Sequence, residues 1–250
     1  MFGLPDGVAA CLFDMDGVVT KTAIVHAAAW KQMFDDFLRE RAQQAGTEFV
    51  PFDSDHDYGA YVDGKPRLDG TRSFLESRGI DLPEGSPDDP PGTPTLHGLS
   101  NRKNDLVLVK LKENGVQVYD DTITFIKAVR DQGMPTAIVS SSANTRQVLD
   151  VAKIADLFDV RVDAQYAKEH SLRGKPAPDT FLAAAEALKV PAAHAVVFED
   201  ALAGVAAGHA GHFALVVGVD RVGQAEGLRE HGADVVVTDV ADLLSQDGAA

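Results

Sequence analysis

Two aspartates, Asp14 and Asp16, stand one residue apart in CLFDMDGVVTKT (Cys11–Thr22), at the end of an apolar run. Farther along, TAIVSSSAN carries Ser140, Ser141, Ser142 and Asn144 past a second apolar run, and AVVFED ends in Glu199 and Asp200. Between them, RGKPAPDTF places Lys175 just before a helix start. Each feature is weak alone, because loops of any α/β protein contain Ser and Asp. Together they form a specific set of carboxylates, a hydroxyl and a lysine. Two unit charges ~4 Å apart repel by about 1 kcal/mol in water and about 4 kcal/mol at an effective dielectric near 20. Carboxylates gathered in a crevice therefore call for a cation. Hard oxygen ligands on a half-open site suit Mg²⁺, which keeps waters and shares a few carboxylates with a substrate phosphate. An EF-hand does not fit DMDG, since its third acidic ligand and closing Glu are missing. A receiver-type phosphoacceptor also combines strand-end acids with a lysine, but such domains are much shorter and have no insertion after the first strand.

These residues need elements to carry them. VAACLF (Val8–Phe13) is short, continuously apolar and followed by Asp and Gly, as a buried parallel strand is. Ile24, Ala27, Trp30, Phe34, Phe37 and Leu38 then recur at helical steps, with Trp30 reading as core. Residues 46–98 change character: TRSFLESRG is a short periodic piece, and LPEGSPDDPPGTPT (Leu82–Thr95) reads as a loop dominated by Pro and Gly. NRKNDLVLVKLKEN (Asn101–Asn114) reads as a helix ending at Gly115. From residue 117 helix and strand patterns alternate, through PTAIVSS, FDVRVDA, HAVVFED, FALVVGV and ADVVVTD. This predicts an α/β fold: a Rossmann-like three-layer core with a parallel sheet (1–20 and 117–250), interrupted by a mostly α-helical cap (21–116). Ligands in open α/β sheets bind beyond the carboxyl ends of the strands, where the collected polar residues fall.

Composition sets outer bounds. The 250 residues are 45% hydrophobic and 24% charged, an ordinary globular balance. A formal net charge of -15 argues against nucleic acid or an anionic membrane as principal partner. Cys11 is the single cysteine, which excludes an internal disulfide. MFGLPDG has no basic n-region, and no run approaches ~20 apolar residues, so a cytoplasmic protein without a membrane segment is the simplest reading, and a monomer is the separate expectation for its assembly.

FDMDGVV, VSSS, GKPAPDTF and FEDALAGV, in that order, resemble the four motifs of the haloacid dehalogenase superfamily. Within it, DMDGVVTKTAIVHAAAWK with GKPR and NRKND resembles the β-phosphoglucomutase group, whose helical cap follows the first strand. The resemblance implies that Asp14 is the nucleophile, forming an aspartyl phosphate, and that Asp16 is general acid and base. It implies Mg²⁺ held by Asp14, the Asp16 carbonyl and Asp200, with Glu199 close by, and phosphoryl oxygens held by Ser140 and Lys175. Thr22 and His26, four apart on one helix face, match the hinge pair that positions Asp16 and couples cap closure to proton transfer. Arg67 matches the cap arginine that grips the phosphate not being transferred, and a guanidinium can do so through two bonds. Lys103 and Asn104 match cap residues near the sugar; Ser142 and Asn144 match core ligands of the distal phosphate.

Three departures stand out: Ala143 where the group often has Lys, Lys21 where Asp is usual, and the Pro-rich stretch 82–95. The implied enzyme is a phosphomutase interconverting β-glucose 1-phosphate and glucose 6-phosphate through the 1,6-bisphosphate. One alternative is a phosphatase of small sugar phosphates, in which water attacks phospho-Asp14. A third is a non-catalytic binding protein, which has no physical need for so costly an acidic cluster.

Overall fold

The structure is a computed structural model that describes residues 3–245. The chain divides into two compact units, residues 1–21 with 116–250, and residues 22–115. The first, the core, holds six strands: β1 (Ala10–Phe13), β2 (Thr136–Val139), β3 (Val160–Val162), β4 (Ala195–Glu199), β5 (Leu215–Val219) and β6 (Val235–Val237). They form one parallel sheet in the order β3-β2-β1-β4-β5-β6. Every residue of β1, β2, β4 and β5 is buried, as expected of strands covered on both faces.

Alternation along β1 assigns its two faces. Ala10 and Leu12 join Val139, Val197, Phe181 and Val205 in one apolar cluster under α7 (Asp179–Ala187) and α8 (Leu202–Ala210). Phe13 stacks on Phe198 at 4.5 Å between centroids and meets Phe125 of α4 (Asp120–Asp131) edge-on, on the opposite side. Sequential order reverses between β1 and β4, whose strands pair from Ala10 with Ala195 to Phe13 with Phe198. That switch point is where open α/β sheets bind ligands. The core is completed by α5 (Thr145–Ala152), α6 (Ala164–Glu169) and α9 (Ala225–Glu230).

The second unit is helical, as expected of the inserted segment. Its elements are α1 (Ala23–Ala45), α2 (Arg67–Ser77) and α3 (Leu96–Asn114), with a single wide turn at Tyr58–Val62. Trp30 stacks on Phe34 at 5.2 Å, and Phe34 in turn meets Phe52 and Phe74, so the α1 stripe is the centre of this unit's own core. α3 starts five residues before the helix read from sequence, because the Thr95 hydroxyl accepts the Gly98 amide and caps it. The Pro-rich stretch 82–95 has neither helix nor strand, yet it is well pinned. Asn101 donates to the carbonyls of Pro87 and Asp89, and the Asp89 carboxylate accepts from Thr95 and the Ser86 amide. Among the described residues, no helix is long and apolar enough to cross a membrane.

Candidate active site

Asp14 follows the last residue of β1, and its amide donates to the carbonyl of Phe198 on β4, so the sheet ladder itself fixes its backbone. Residues 15–20 then close a tight turn: the Val19 and Thr20 amides and the Thr20 hydroxyl all donate to the Met15 carbonyl, and the Gly17 amide donates to Thr20. Gly17 sits at φ +97°, and a Cβ there would lie 1.8 Å from Oδ2 of Asp200. Only glycine permits both that backbone and that approach. The turn thereby brings Asp16, Gly17 and Asp200 together although they leave different strands.

Lys175 is buried and supplies three N–H donors, each with an acceptor. They reach Oδ1 of Asp14, Oε1 of Glu199 at 2.7 Å and the Val139 carbonyl at 3.2 Å. Glu199 is fully buried, and its second oxygen accepts the Ala201 amide at 2.8 Å. Its carboxylate lies against α8 at Gly204, where a Cβ would come within 1.6 Å of Oε1. The Ser140 hydroxyl donates to Asp16 at 3.4 Å and accepts the Ser142 amide at 3.1 Å. Ser142 in turn accepts the Asn144 amide, so the loop after β2 is folded onto its own side chains.

Charge is unbalanced here. Burial pushes the Asp14 carboxyl well above its ordinary range; Lys175 opposes this, while Glu199 and Asp16 add to it. Burial acts to deprotonate Lys175, but Asp14 and Glu199 more than reverse it and keep the ammonium charged. Among the described residues, Asp14, Glu199 and Asp200 each bring one carboxylate oxygen within 4.8 Å of the others. One lysine against these acids leaves excess negative charge on an all-oxygen donor set, which fits a hard divalent cation.

Residues 8–212 match the model of the haloacid dehalogenase-like hydrolases. A protein of Mycobacterium bovis named beta-phosphoglucomutase is 56% identical over 98% of this chain and 94% of its own length. The chain belongs to the haloacid dehalogenase-like hydrolase family. Within that family, a Bacillus subtilis protein also named beta-phosphoglucomutase is 30% identical, over 94% of this chain and 91% of its own. The crystal structure of beta-phosphoglucomutase from Clostridium difficile superposes with a TM-score of 0.73 at 25% identity, covering 94% of this chain and 93% of that one.

In this haloacid dehalogenase-like chain the core residues singled out from sequence converge on the carboxyl ends of β1, β2 and β4. The cap residues form their own arrangement. Lys103 is buried, donates to Nδ1 of His26 at 2.8 Å and lies 4.6 Å from the centre of the Trp30 ring. Thr22 is buried beneath the first turn of α1, its carbonyl accepting the His26 amide. Arg67 opens α2, and Asn104 follows Lys103 on α3. Burial lowers the Arg67 pKa, with Asp105 opposing that effect.

The departures have structural counterparts. Lys21 lies 5.4 Å from the centre of the Tyr119 ring rather than pairing as an acid would. Ala143 lines a cleft of about 350 Å³ together with Asn144, Arg146, Arg161 and Asp163, and Arg161 is paired with Asp163 at 2.8 Å. Sequence reasoning missed Gly17, Gly204, Arg221 and Gln224. For the glycines the only available signal was their place within the motifs.

Proposed function

We propose that the chain is a Mg²⁺-dependent sugar phosphomutase that interconverts β-glucose 1-phosphate and glucose 6-phosphate through the 1,6-bisphosphate. The observation that carries this reading is the near full-length 56% identity to the M. bovis beta-phosphoglucomutase. It is supported by a core that gathers the carboxylates of Asp14 and Asp16 and the charged Lys175 at one sheet edge.

Asp14 attacks phosphorus of the bisphosphate; the new bond forms to its oxygen as the bond to the sugar oxygen breaks, leaving an aspartyl phosphate. Asp16 gives the departing sugar oxygen its proton. β-Glucose 1-phosphate then attacks through its 6-hydroxyl, Asp16 takes that proton back, and the 1,6-bisphosphate and free Asp14 are regenerated. The bisphosphate turned end for end gives up its 1-phosphoryl group in the same way and leaves glucose 6-phosphate. Lys175 and Ser140 hold the transferring phosphoryl oxygens. Asp14, Asp200 and the Asp16 carbonyl, with Glu199 close by, would hold Mg²⁺, which would supply charge neutralisation for the phosphoryl group. We assign Thr22 and His26 to positioning Asp16, and Arg67, Lys103, Asn104, Ser142 and Asn144 to recognition of the sugar and its second phosphate.

A second reading is a phosphatase, in which water replaces the sugar hydroxyl. Ala143 favours it, because a cation near the distal phosphate is lost. Incubation with Mg²⁺ and β-glucose 1-phosphate, with and without a trace of the 1,6-bisphosphate, separates the two. The mutase yields glucose 6-phosphate, faster with the bisphosphate. Free phosphate without glucose 6-phosphate would overturn it in favour of the phosphatase.

A further inference from the structure

The loop Asp220–Gln224, between β5 and α9, has no part in the chemistry above, yet it reaches both acid-bearing segments. Oδ1 of Asp220 accepts the amides of Val222, Gly223 and Gln224 at 3.2, 2.7 and 2.9 Å, which folds the loop around one carboxylate. From this frame, Nε of Arg221 donates to the Gly17 carbonyl at 3.3 Å, and Nε2 of Gln224 donates to the Asp200 carbonyl at 2.9 Å. Arg221 is anchored in turn: it donates to the Thr238 carbonyl, to Asp121 at 3.0 Å and to the Thr122 hydroxyl at 3.2 Å, and its guanidinium lies 3.8 Å from the Tyr119 ring centre. Thr122 donates to the Val18 carbonyl at 2.8 Å, giving the same turn a second fixed point.

We propose that the Asp220–Gln224 loop is a positioning brace for the acidic cluster. Arg221 fixes the turn that carries Asp16, and Gln224 fixes the strand end that carries Asp200. The two segments leave different strands, and their carboxylates repel one another. Donors behind them, bound to backbone carbonyls, hold the spacing without occupying any carboxylate oxygen. The inference rests on the reading of Asp16 and Asp200 as holders of Mg²⁺ and, for Asp16, of the transferred proton.

The test uses the full chain and four variants: Arg221→Met, Arg221→Lys, Gln224→Leu and Val222→Ala. Calorimetric titration with Mg²⁺ alone is paired with steady-state kinetics on β-glucose 1-phosphate and a thermal melt. Loss of a group that orients metal ligands typically weakens metal affinity by about 10–100-fold. Arg221→Met and Gln224→Leu should each weaken Mg²⁺ binding by that order and lower kcat, with KM for the sugar phosphate nearly unchanged. Arg221→Lys, which keeps the charge but loses the planar fork of donors, should fall between. Val222→Ala, on an exposed side chain of the same loop, should match the parent. If Arg221→Met proves too unstable to assay, Gln224→Leu, which loses a single hydrogen bond, still decides the matter. Variants that melt lower but retain parental Mg²⁺ affinity and kcat would overturn the brace alone. A parent that neither binds Mg²⁺ nor turns over the sugar phosphate would overturn the underlying reading, and the brace with it.

Discussion

Lys175 presents three donors in a buried position, and the fold meets them with two carboxylates and a carbonyl. That geometry depends on a residue with no side chain. The Cβ of an alanine at 204 would fall within 1.6 Å of Oε1 of Glu199 and 2.6 Å of its Cγ, so the carboxylate would have to leave Lys175. Gly204→Ala is therefore expected to lower kcat on the order of 10²-fold, the cost of displacing a positioned group by about 1 Å. Gly208→Ala, on the same helix with Val216 3.1 Å away, should cost stability but little turnover. Comparable kcat in the two variants, measured on folded protein, would contradict the role of the close approach. The acids, Ser140 and Lys175 were legible in the sequence because their chemistry is carried by residue type. Gly17 and Gly204 were not, because they act by leaving space, and that space is defined by Asp200 and Glu199 on other segments. Arg221 and Gln224 were hidden for another reason: DRVGQ reads as an ordinary solvated loop until its carbonyl partners are known.

At the level of elements, the alternating second half was the most readable part, since buried parallel strands show as unbroken apolar runs. The cap was less so. Gly70 within α2 and Gly98 in the first turn of α3 weaken the helical signal locally, while packing and the Thr95 cap supply what propensity lacks. The cap also carries a pH-sensitive tie. Burial acts upward on the Asp57 carboxyl, but the Asp53 amide, the Arg78 guanidinium and His56 outweigh it and hold the pKa below its usual value. A depressed pKa contributes stability above the unfolded value near ~3.9 and loses it as the pH falls through the folded value. Asp57→Asn should therefore be less stable than the parent at neutral pH, with the difference shrinking below about pH 4. A difference in denaturation free energy that stays constant from neutral to acidic pH would show that the charge on Asp57 contributes nothing.

For the molecule as a whole, an insertion after β1 places every proposed catalytic group of the core on unit 1–21 with 116–250, and the implied sugar-recognition groups Arg67, Lys103 and Asn104 on unit 22–115. The return to a regular pattern after residue 117 lies beside the division at 115/116, whereas the change of character at residue 46 follows the end of α1 and falls inside unit 22–115. The packing of the Pro-rich stretch onto α3 was not legible, because it rests on Asn101 and Asp89 meeting carbonyls and hydroxyls that no periodicity reveals. The whole account turns on one atom pair, a carboxylate oxygen of Asp14 and the phosphorus it accepts. Acid-quenched reaction with glucose 1,6-bisphosphate carrying labelled phosphorus, followed by mapping of the labelled peptide, tests it directly. The account predicts label on the peptide containing Asp14, lost on chase with β-glucose 1-phosphate as labelled bisphosphate appears, and no label in Asp14→Asn. Label on another residue, or turnover that survives Asp14→Asn, would contradict it.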